Sequence, residues 1–178
     1  PFKRSQIGKV YRGERAQRGR FREFYQCDID VIGHGELSVK YDAEVIAIIY
    51  EIFRELNFGD FIIRISNRNL TTGLLKSLKL EEKTSEILGL IDRAEKISSK
   101  EFDEQLAALK VGDSAQKIKQ FINISGDSSE IFAKLEQISI ELSDNNQFEK
   151  GISELKQVVT ILKAMGVEEK FFKVDTLI

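Results

Sequence analysis

Two residue types that build covalent or metal-bound sites are almost missing from this chain. Its 178 residues include one cysteine, Cys27, and one histidine, His34. A single cysteine excludes an internal disulfide framework and is typical of a reducing compartment such as the cytoplasm. One histidine and one cysteine also argue against a His/Cys zinc site. We therefore expect no metal ion held by protein ligands alone.

Long apolar runs are missing as well. A membrane-spanning helix needs about 20 mainly apolar residues, and no stretch of this sequence approaches that length. No charged-then-apolar leader precedes the first predicted strand, so we expect no signal peptide. Hydrophobic residues make up 42% of the chain and charged residues 31%, a balance typical of globular proteins. These features together predict a cytoplasmic protein without membrane association.

Charge is distributed unevenly along the chain. The formal net charge is −2, yet residues 3–22 contain eight basic residues and one acidic residue, Glu14. The remainder contains 19 basic and 28 acidic residues. A basic segment on an acidic body indicates a local anionic ligand rather than general coating of nucleic acid. Six of the eight basic residues are arginines, whose planar guanidinium groups suit phosphate or carboxylate.

The pattern of apolar residues predicts strands first and helices later. Alternation predicts strands over residues 6–12 and 21–32, joined by a polar loop into an antiparallel hairpin. Helical spacing predicts an amphipathic helix over residues 42–57, with Asp42 as its N-cap, followed by a short strand at 60–66. Helical periodicity then persists from about Leu70 to Met165, enough for roughly five helices, before a strand returns at 169–178.

This order of elements predicts an α+β fold. An antiparallel β hairpin and sheet with one helix would form a partial catalytic core over residues 1–69. An all-helical insertion domain would occupy residues 70–166, and residues 167–178 would return to the core as a strand. The chain starts just before one predicted strand and ends inside another, which leaves strand edges unpaired. We therefore expect it to be a segment of a longer polypeptide.

The hairpin is predicted to have one polar and one apolar face. Successive side chains of a strand point to opposite faces, so Arg12 and Glu14 share a face of the first strand. The second strand would place on one face Arg22, Phe24, Gln26, Asp28 and Asp30, and on the other Phe21, Tyr25, Cys27, Ile29 and Val31. We expect the apolar set to face the core, with Cys27 buried. The polar row is costly to bury unless a ligand binds it.

Residues 11–33 resemble the second signature motif of class II aminoacyl-tRNA synthetases in its histidyl form. The matching residues are Arg-Gly-Glu at 12–14, Phe24 and Gln-Cys-Asp-Ile-Asp at 26–30. Residues 41–44 and 171–178 also resemble that family. The resemblance implies an aminoacyl-tRNA ligase that activates histidine with ATP and transfers it to tRNA(His). It further implies Mg²⁺ bound with the ATP, and a homodimer as the parent protein.

The resemblance also implies roles for individual residues. Arg12 would be the catalytic arginine that holds the α-phosphate of ATP and the substrate carboxylate. The other ATP-binding residues would be Glu14 on the adenine amino group, Arg20 on the terminal phosphate and Phe24 stacked on adenine. Gln26 and Asp30 would contact histidine. The family more often has glutamate at the position of Asp30, so the shorter aspartate is a departure.

Several parts of that family are not found in this sequence. The first and third motifs, the Arg-Gly-Leu-Asp-Tyr-Tyr histidine-binding segment and the anticodon-binding domain are all missing. We therefore expect the isolated chain to be inactive. An alternative hypothesis is the synthetase-like regulatory subunit of ATP phosphoribosyltransferase, which binds histidine without aminoacylation. A further alternative is a structural or interaction module in which the basic hairpin has no catalytic role.

Overall fold

The chain forms four strands and seven helices within residues 1–177, which are the residues that the computed structural model describes. In chain order they are β1 (Phe2–Tyr11), β2 (Glu23–Ile32), α1 (Lys40–Glu55), β3 (Ile63–Ile65), α2 (Arg68–Ser77), α3 (Thr84–Ile91), α4 (Ser99–Ala108), α5 (Ser114–Ile122), α6 (Ser128–Ile140), α7 (Asn146–Ala164) and β4 (Phe172–Val174). The α+β class predicted from the sequence is confirmed. The division into a partial core and an insertion domain stays a prediction.

The predicted hairpin is present and longer than expected. β1 and β2 pair in antiparallel fashion along their whole length, from Phe2 opposite Ile32 to Tyr11 opposite Glu23. At the tip, Gln17 and Arg20 exchange two backbone hydrogen bonds of 3.1 and 2.8 Å. The chain reverses there through Gly19, whose φ of 79° lies in the left-handed region that favours glycine. The loop between the strands is therefore an ordered extension of the hairpin.

Helix α1 starts earlier than the sequence suggested. It begins at Lys40 after the N-cap residue Val39, so Asp42 lies in the first turn and is not the cap. The buried residues of the helix are Ala43 and Ala47, one turn apart, and the helix packs against α7. The larger apolar side chains of the predicted stripe are half-buried or exposed. Small alanines allow a close helix–helix approach that a count of large apolar residues does not reveal.

Six helices, rather than about five, follow β3. The additional helix is α2, which begins after the N-cap Asn67, whose side chain accepts a hydrogen bond from the backbone of Asn69. A break at residues 109–113 separates α4 from α5. Helix α6 begins with a capping box between Asp127 and Glu130. These helices supply most of the buried apolar core.

Helices α2 and α7 touch through two glycines. A Cβ atom added at Gly73 would lie 2.6 Å from the backbone nitrogen of Phe148. One added at Gly151 would lie 3.0 Å from the backbone nitrogen and side chain of Leu70. The amide of Gln147 spans the same contact, donating to the hydroxyl of Thr72 at 2.8 Å. The two helix backbones therefore approach each other as closely as glycine allows.

The chain returns from the helices to β3 through β4, which pairs with it in parallel. This parallel pair was not part of the predicted, mainly antiparallel sheet. Arg64 on β3 donates to Asp175 at 2.8 Å and forms a bidentate pair with Glu95, at 2.8 and 3.0 Å. The buried hydroxyl of Thr176 donates to the carbonyl of Phe121 on α5 at 3.0 Å. The predicted end of this strand, Ile178, lies outside the described residues.

Charge and burial act in opposite directions on Asp175. Burial raises the pKa of its carboxyl, but hydrogen bonds from Arg64 and from the backbone of Leu177, together with nearby positive charge, lower it further than burial raises it. The net pKa lies below the ordinary value of aspartate. Glu95 and Asp175 in turn raise the pKa of Arg64. The exit of β4 is therefore fixed by an ionic contact with β3.

The prediction that Cys27 is buried is wrong. Cys27 is exposed, and its neighbours on the same hairpin face, Ile7 and Tyr25, are 78% and 71% exposed. This face meets the rest of the described chain near its other end, where Lys3 on β1 pairs with Glu44 on α1. Within residues 1–177, no other strand or helix covers the part of the hairpin around Cys27. Strand alternation correctly predicted that these apolar residues share one face, but that face does not pack into a core.

None of the helices described in residues 1–177 combines the length and the apolar character needed to cross a lipid bilayer.

Candidate functional site

The tip of the hairpin encloses a small polar cavity. It has a volume of about 320 Å³ and is lined by Arg12, Glu14, Gly19, Arg20, Phe21 and Phe24. Arg12 follows the last residue of β1, and its backbone N–H donates to the carbonyl of Arg22 at 2.9 Å, which extends the ladder by one step. The turn at Gly19 folds Arg20 back over the strands. Local hairpin geometry alone therefore assembles the cavity.

All four residues predicted to bind ATP line this cavity. Arg12 and Glu14 come from the end of β1 and the residues after it, Arg20 comes from the turn, and Phe24 comes from β2. Phe21 joins them, although strand alternation had placed it on the opposite face. That alternation does not apply to Phe21, because β2 begins only at Glu23. Phe21 is 70% exposed, so its ring forms part of the rim.

The cavity residues are paired with one another. The guanidinium carbon of Arg12 lies 5.1 Å from the centroid of the Phe24 ring, in a cation–π contact. The guanidinium group of Arg20 lies 3.7 Å from the carboxylate of Glu14. An exposed cation–π contact contributes about 0.5–1 kcal/mol, and an exposed ion pair about 0–1 kcal/mol. A ligand that contacts the same groups therefore displaces only weak interactions.

The cavity combines three kinds of recognition. Arg12 and Arg20 offer planar cationic donors, which bind phosphate or carboxylate oxygens. Phe24 offers an apolar ring face of the size of a nucleobase. Glu14 offers carboxylate oxygens that accept hydrogen bonds from an amino group. An anionic ligand that also carries an aromatic base, such as a nucleotide, matches all three.

The residues predicted to contact histidine lie on the same hairpin face, farther from the tip. Gln26 is paired in register with Gly8, and Asp30 with Arg4. Gln26 donates to Asp28, its neighbour on that face. The carboxylate of Asp30 accepts a hydrogen bond from Nε of Arg4 at 3.0 Å, and Nη2 of Arg4 lies 2.7 Å away in an ion pair. Neither Gln26 nor Asp30 lines the cavity at the tip.

Arg4 is a charged residue on this face that the sequence reading missed. The predicted strand began at Gln6, whereas β1 begins at Phe2. Extending the hairpin register by four residues would have placed Arg4 opposite Asp30.

Within residues 1–177, no cluster of three or more histidine, cysteine, aspartate or glutamate side chains could hold a metal ion.

A larger groove, of about 740 Å³, lies between α6 and α7. Its lining includes the apolar residues Ile140, Ile152 and Ile161, with Lys156 as its cationic residue. It contains neither an arginine nor an aromatic ring. The groove therefore lacks the groups that make the hairpin cavity suited to a nucleotide.

Comparisons with known proteins give one consistent result. A sequence model of the family described as "Histidyl-tRNA synthetase" matches residues 3–177. The histidine–tRNA ligase of Clostridium tetani (strain Massachusetts / E88) is 46% identical over 100% of this chain and 40% of its own length. That of Nostoc punctiforme is 44% identical over 98% of this chain and 38% of its own length. The chain spans about two fifths of the length of these relatives.

Solved structures agree. The crystal structure of histidyl-tRNA synthetase from Nostoc sp. PCC 7120 superimposes with a TM-score of 0.92 at 40% identity, over 100% of this chain and 40% of that protein. A protein described as an ATP phosphoribosyltransferase regulatory subunit/histidyl-tRNA synthetase from Bacillus halodurans superimposes with a TM-score of 0.78 at 17% identity. The second match shows a shared fold alone. Because the family model matches residues 3–177, nearly the whole chain, this chain belongs to the histidyl-tRNA synthetase family.

Proposed function

We propose that this chain is part of a histidine–tRNA ligase, which activates histidine with ATP and transfers it to tRNA(His). The observation that carries the proposal is the cavity at the hairpin tip, where Arg12, Glu14, Arg20 and Phe24 come together. Relatives named histidine–tRNA ligase, at 44–46% identity, support the same reading.

Each side chain of the cavity has a proposed task toward ATP. Phe24 stacks on the adenine ring, and Glu14 accepts hydrogen bonds from the adenine amino group. Arg20 binds the terminal phosphate from the turn. Arg12 binds the α-phosphate and, through its remaining donors, the carboxylate of histidine. Mg²⁺ accompanies ATP and neutralises phosphate charge. These assignments require Arg12 to leave the Phe24 ring and Arg20 to leave Glu14, both of which are weak exposed contacts.

The proposed first step is attack of a histidine carboxylate oxygen on the α-phosphorus. The new bond from oxygen to phosphorus gives histidyl adenylate, and the bond to the β-phosphate oxygen breaks to release pyrophosphate. Negative charge builds on the non-bridging oxygens of the α-phosphate, where the guanidinium group of Arg12 stabilises it. Holding both substrates in line lowers the barrier further. No side chain of the hairpin acts as a nucleophile or a general base.

Histidine itself is proposed to bind next to the nucleotide on the same hairpin face. Gln26 and Asp30 are half-buried and belong to one row with Phe24. This row runs from the nucleotide cavity toward the far end of the hairpin. A substrate whose carboxylate meets Arg12 would therefore extend its N–H donors along the row. We further propose a homodimeric cytoplasmic protein as the parent of this chain.

The test is histidine-dependent exchange of pyrophosphate into ATP, measured on the full-length protein. We expect exchange with histidine and with no other amino acid, and no exchange from the 178-residue chain alone. Histidine binding without exchange would instead favour the regulatory subunit. In that case Glu14 and Phe24 would have no nucleotide to recognise. Exchange by the isolated chain would show that the remaining motifs of the family are not required.

A further inference from the structure

On the histidine side of the hairpin, Arg4 forms a hydrogen bond and an ion pair with Asp30. The two residues lie directly opposite each other on β1 and β2. The Nε and Nη2 atoms of Arg4 lie 3.0 and 2.7 Å from the carboxylate of Asp30. Both distances are to the same oxygen, Oδ2. Among the described residues, no hydrogen bond or ion pair is formed by the other oxygen, Oδ1.

This arrangement does more for orientation than for stability. The side chains of Arg4 and Asp30 are 49% and 43% exposed, and an exposed pair of this kind contributes about 0–1 kcal/mol. A guanidinium group is planar and its donors have fixed directions. The hydrogen bond from Nε and the ion-pair contact of Nη2 both involve Oδ2, so they restrain the carboxylate and leave Oδ1 available.

We propose that Arg4 is a positioning residue, which holds Oδ2 of Asp30 so that Oδ1 accepts an N–H group of the amino-acid substrate. This inference rests on the proposed function. Histidine carries two kinds of N–H donor, the α-ammonium group and the imidazole ring, and Oδ1 can accept from either. The short carboxylate side chain of Asp30 is restrained by an arginine directly across the strand pair.

The neighbouring charges are consistent with this role. Asp28 lies on the same face between Gln26 and Asp30 and is occupied by the amide of Gln26. Arg4 offsets one of the two carboxylate charges in the row. The face then presents Oδ1 of Asp30, and also Oδ2 of Asp28, as carboxylate oxygens that form no hydrogen bond or ion pair with the described residues. Arg4 restrains only the carboxylate of Asp30 and forms no ion pair with that of Asp28.

The experiment compares Arg4→Met and Arg4→Lys with Lys9→Met in the full-length protein. Lys9 pairs with Glu23 across the same hairpin, at 2.7 Å and with side chains 49% and 48% exposed, on the opposite face. Lys9→Met therefore removes a matched ion pair without touching the proposed substrate row. The KM values for histidine and for ATP are measured separately in the pyrophosphate exchange assay, and circular dichroism confirms that each variant is folded.

We expect Arg4→Met to raise the KM for histidine by about fivefold to tenfold through lost orientation, and to change the KM for ATP by less than about twofold. Lys9→Met should leave both values near those of the wild type. Arg4→Lys, a single donor on a flexible stem, should recover part of the loss. Combining Arg4→Met with Asp30→Asn should be no worse than Asp30→Asn alone, because both changes remove the same interaction.

Two results would overturn the role of Arg4 while leaving the proposed function standing. In the first, Arg4→Met behaves like Lys9→Met. In the second, it raises both KM values equally, which means that it distorts the whole hairpin. If the wild type shows no exchange, calorimetric titration with histidine replaces the assay. Weaker histidine binding in Arg4→Met but not in Lys9→Met would then support Arg4, and equal binding in all three proteins, or none, would refute it.

Discussion

Replacing Gly73 by alanine tests the close contact between α2 and α7. The new Cβ atom would lie 2.6 and 2.9 Å from the backbone nitrogen and Cα of Phe148 and 3.0 Å from the carbonyl carbon of Gln147. These are backbone atoms of a helix, so they cannot move aside by a change of rotamer. Overpacking costs about 1–3 kcal/mol, and overlap with backbone places this site at the upper end. Alanine recovers about 1 kcal/mol through helix propensity.

We therefore expect Gly73→Ala to lower the free energy of unfolding by about 2 kcal/mol, which corresponds to a fall in Tm of about 4–8 °C for a chain of this length. Moving α2 away from α7 should also weaken the hydrogen bond from Gln147 to Thr72, which is 2.8 Å long in the wild type. The control is Gly89→Ala in α3, where an added Cβ meets nothing within 4 Å. There the gain in helix propensity is unopposed, so stability should rise by up to about 1 kcal/mol.

Urea unfolding of the wild type and both variants, followed by circular dichroism, measures these changes. Opposite signs for the two alanines are the decisive result, because both make the same chemical change in a helix. A stabilised Gly73→Ala variant would mean that α2 and α7 are farther apart than described. Equal destabilisation by both changes would mean that the close contact is not the cause.

Three further predictions concern other sites. Arg64 helps to hold the pKa of Asp175 below the ordinary value of 3.8. The contact therefore stabilises the fold fully above about pH 4, and this stabilisation is lost as pH falls through the lower pKa of the folded state. The loss of stability caused by Asp175→Asn, measured by urea unfolding, should shrink in this acidic range. Thr176→Val removes the hydrogen bond from the buried Thr176 hydroxyl to the carbonyl of Phe121, which keeps the backbone N–H of Ile124 as a partner, and should cost about 0.5–1.5 kcal/mol of stability, also measured with urea. Arg12→Ala should abolish pyrophosphate exchange in the full-length protein while changing Tm by less than about 2 °C, because Arg12 is exposed.

The hairpin and most helices could be predicted because their signals are local. Strand alternation, the polar loop with Gly19 and the cap at Asp127 each depend on a few neighbouring residues. Helix α2 lies at the start of the predicted helical stretch but was not counted as a separate helix, since its sequence is short and contains Thr71, Thr72 and Gly73, which have low helix propensity. Its stability comes from packing against α7, a contact between residues more than 70 positions apart. No local pattern contains that information.

The predicted site residues lie together where a single turn assembles them, whereas a contact between distant strand positions was not predicted; the roles of the residues stay predictions. Arg12, Glu14, Arg20 and Phe24 lie within 13 positions of one another, and the structure brings them into one cavity. Arg4 lies 26 positions from Asp30, and pairing them required the true start of β1. The prediction that Cys27 is buried was wrong because burial depends on what packs over the hairpin, which strand alternation does not specify.

Stability and proposed chemistry reside in different parts of the chain. The buried apolar residues come mainly from α2–α7 and from β3 and β4, whereas the residues proposed to bind ATP and histidine are half-buried or exposed on the hairpin. The hairpin contacts the rest of the described chain at Lys3 and Glu44, far from its tip. Substitutions at the tip should therefore act on ligand binding with little effect on unfolding, and those at the α2–α7 contact should do the reverse. A variant at Arg12 that unfolded the helices, or one at Gly73 that altered only ligand affinity, would contradict this separation.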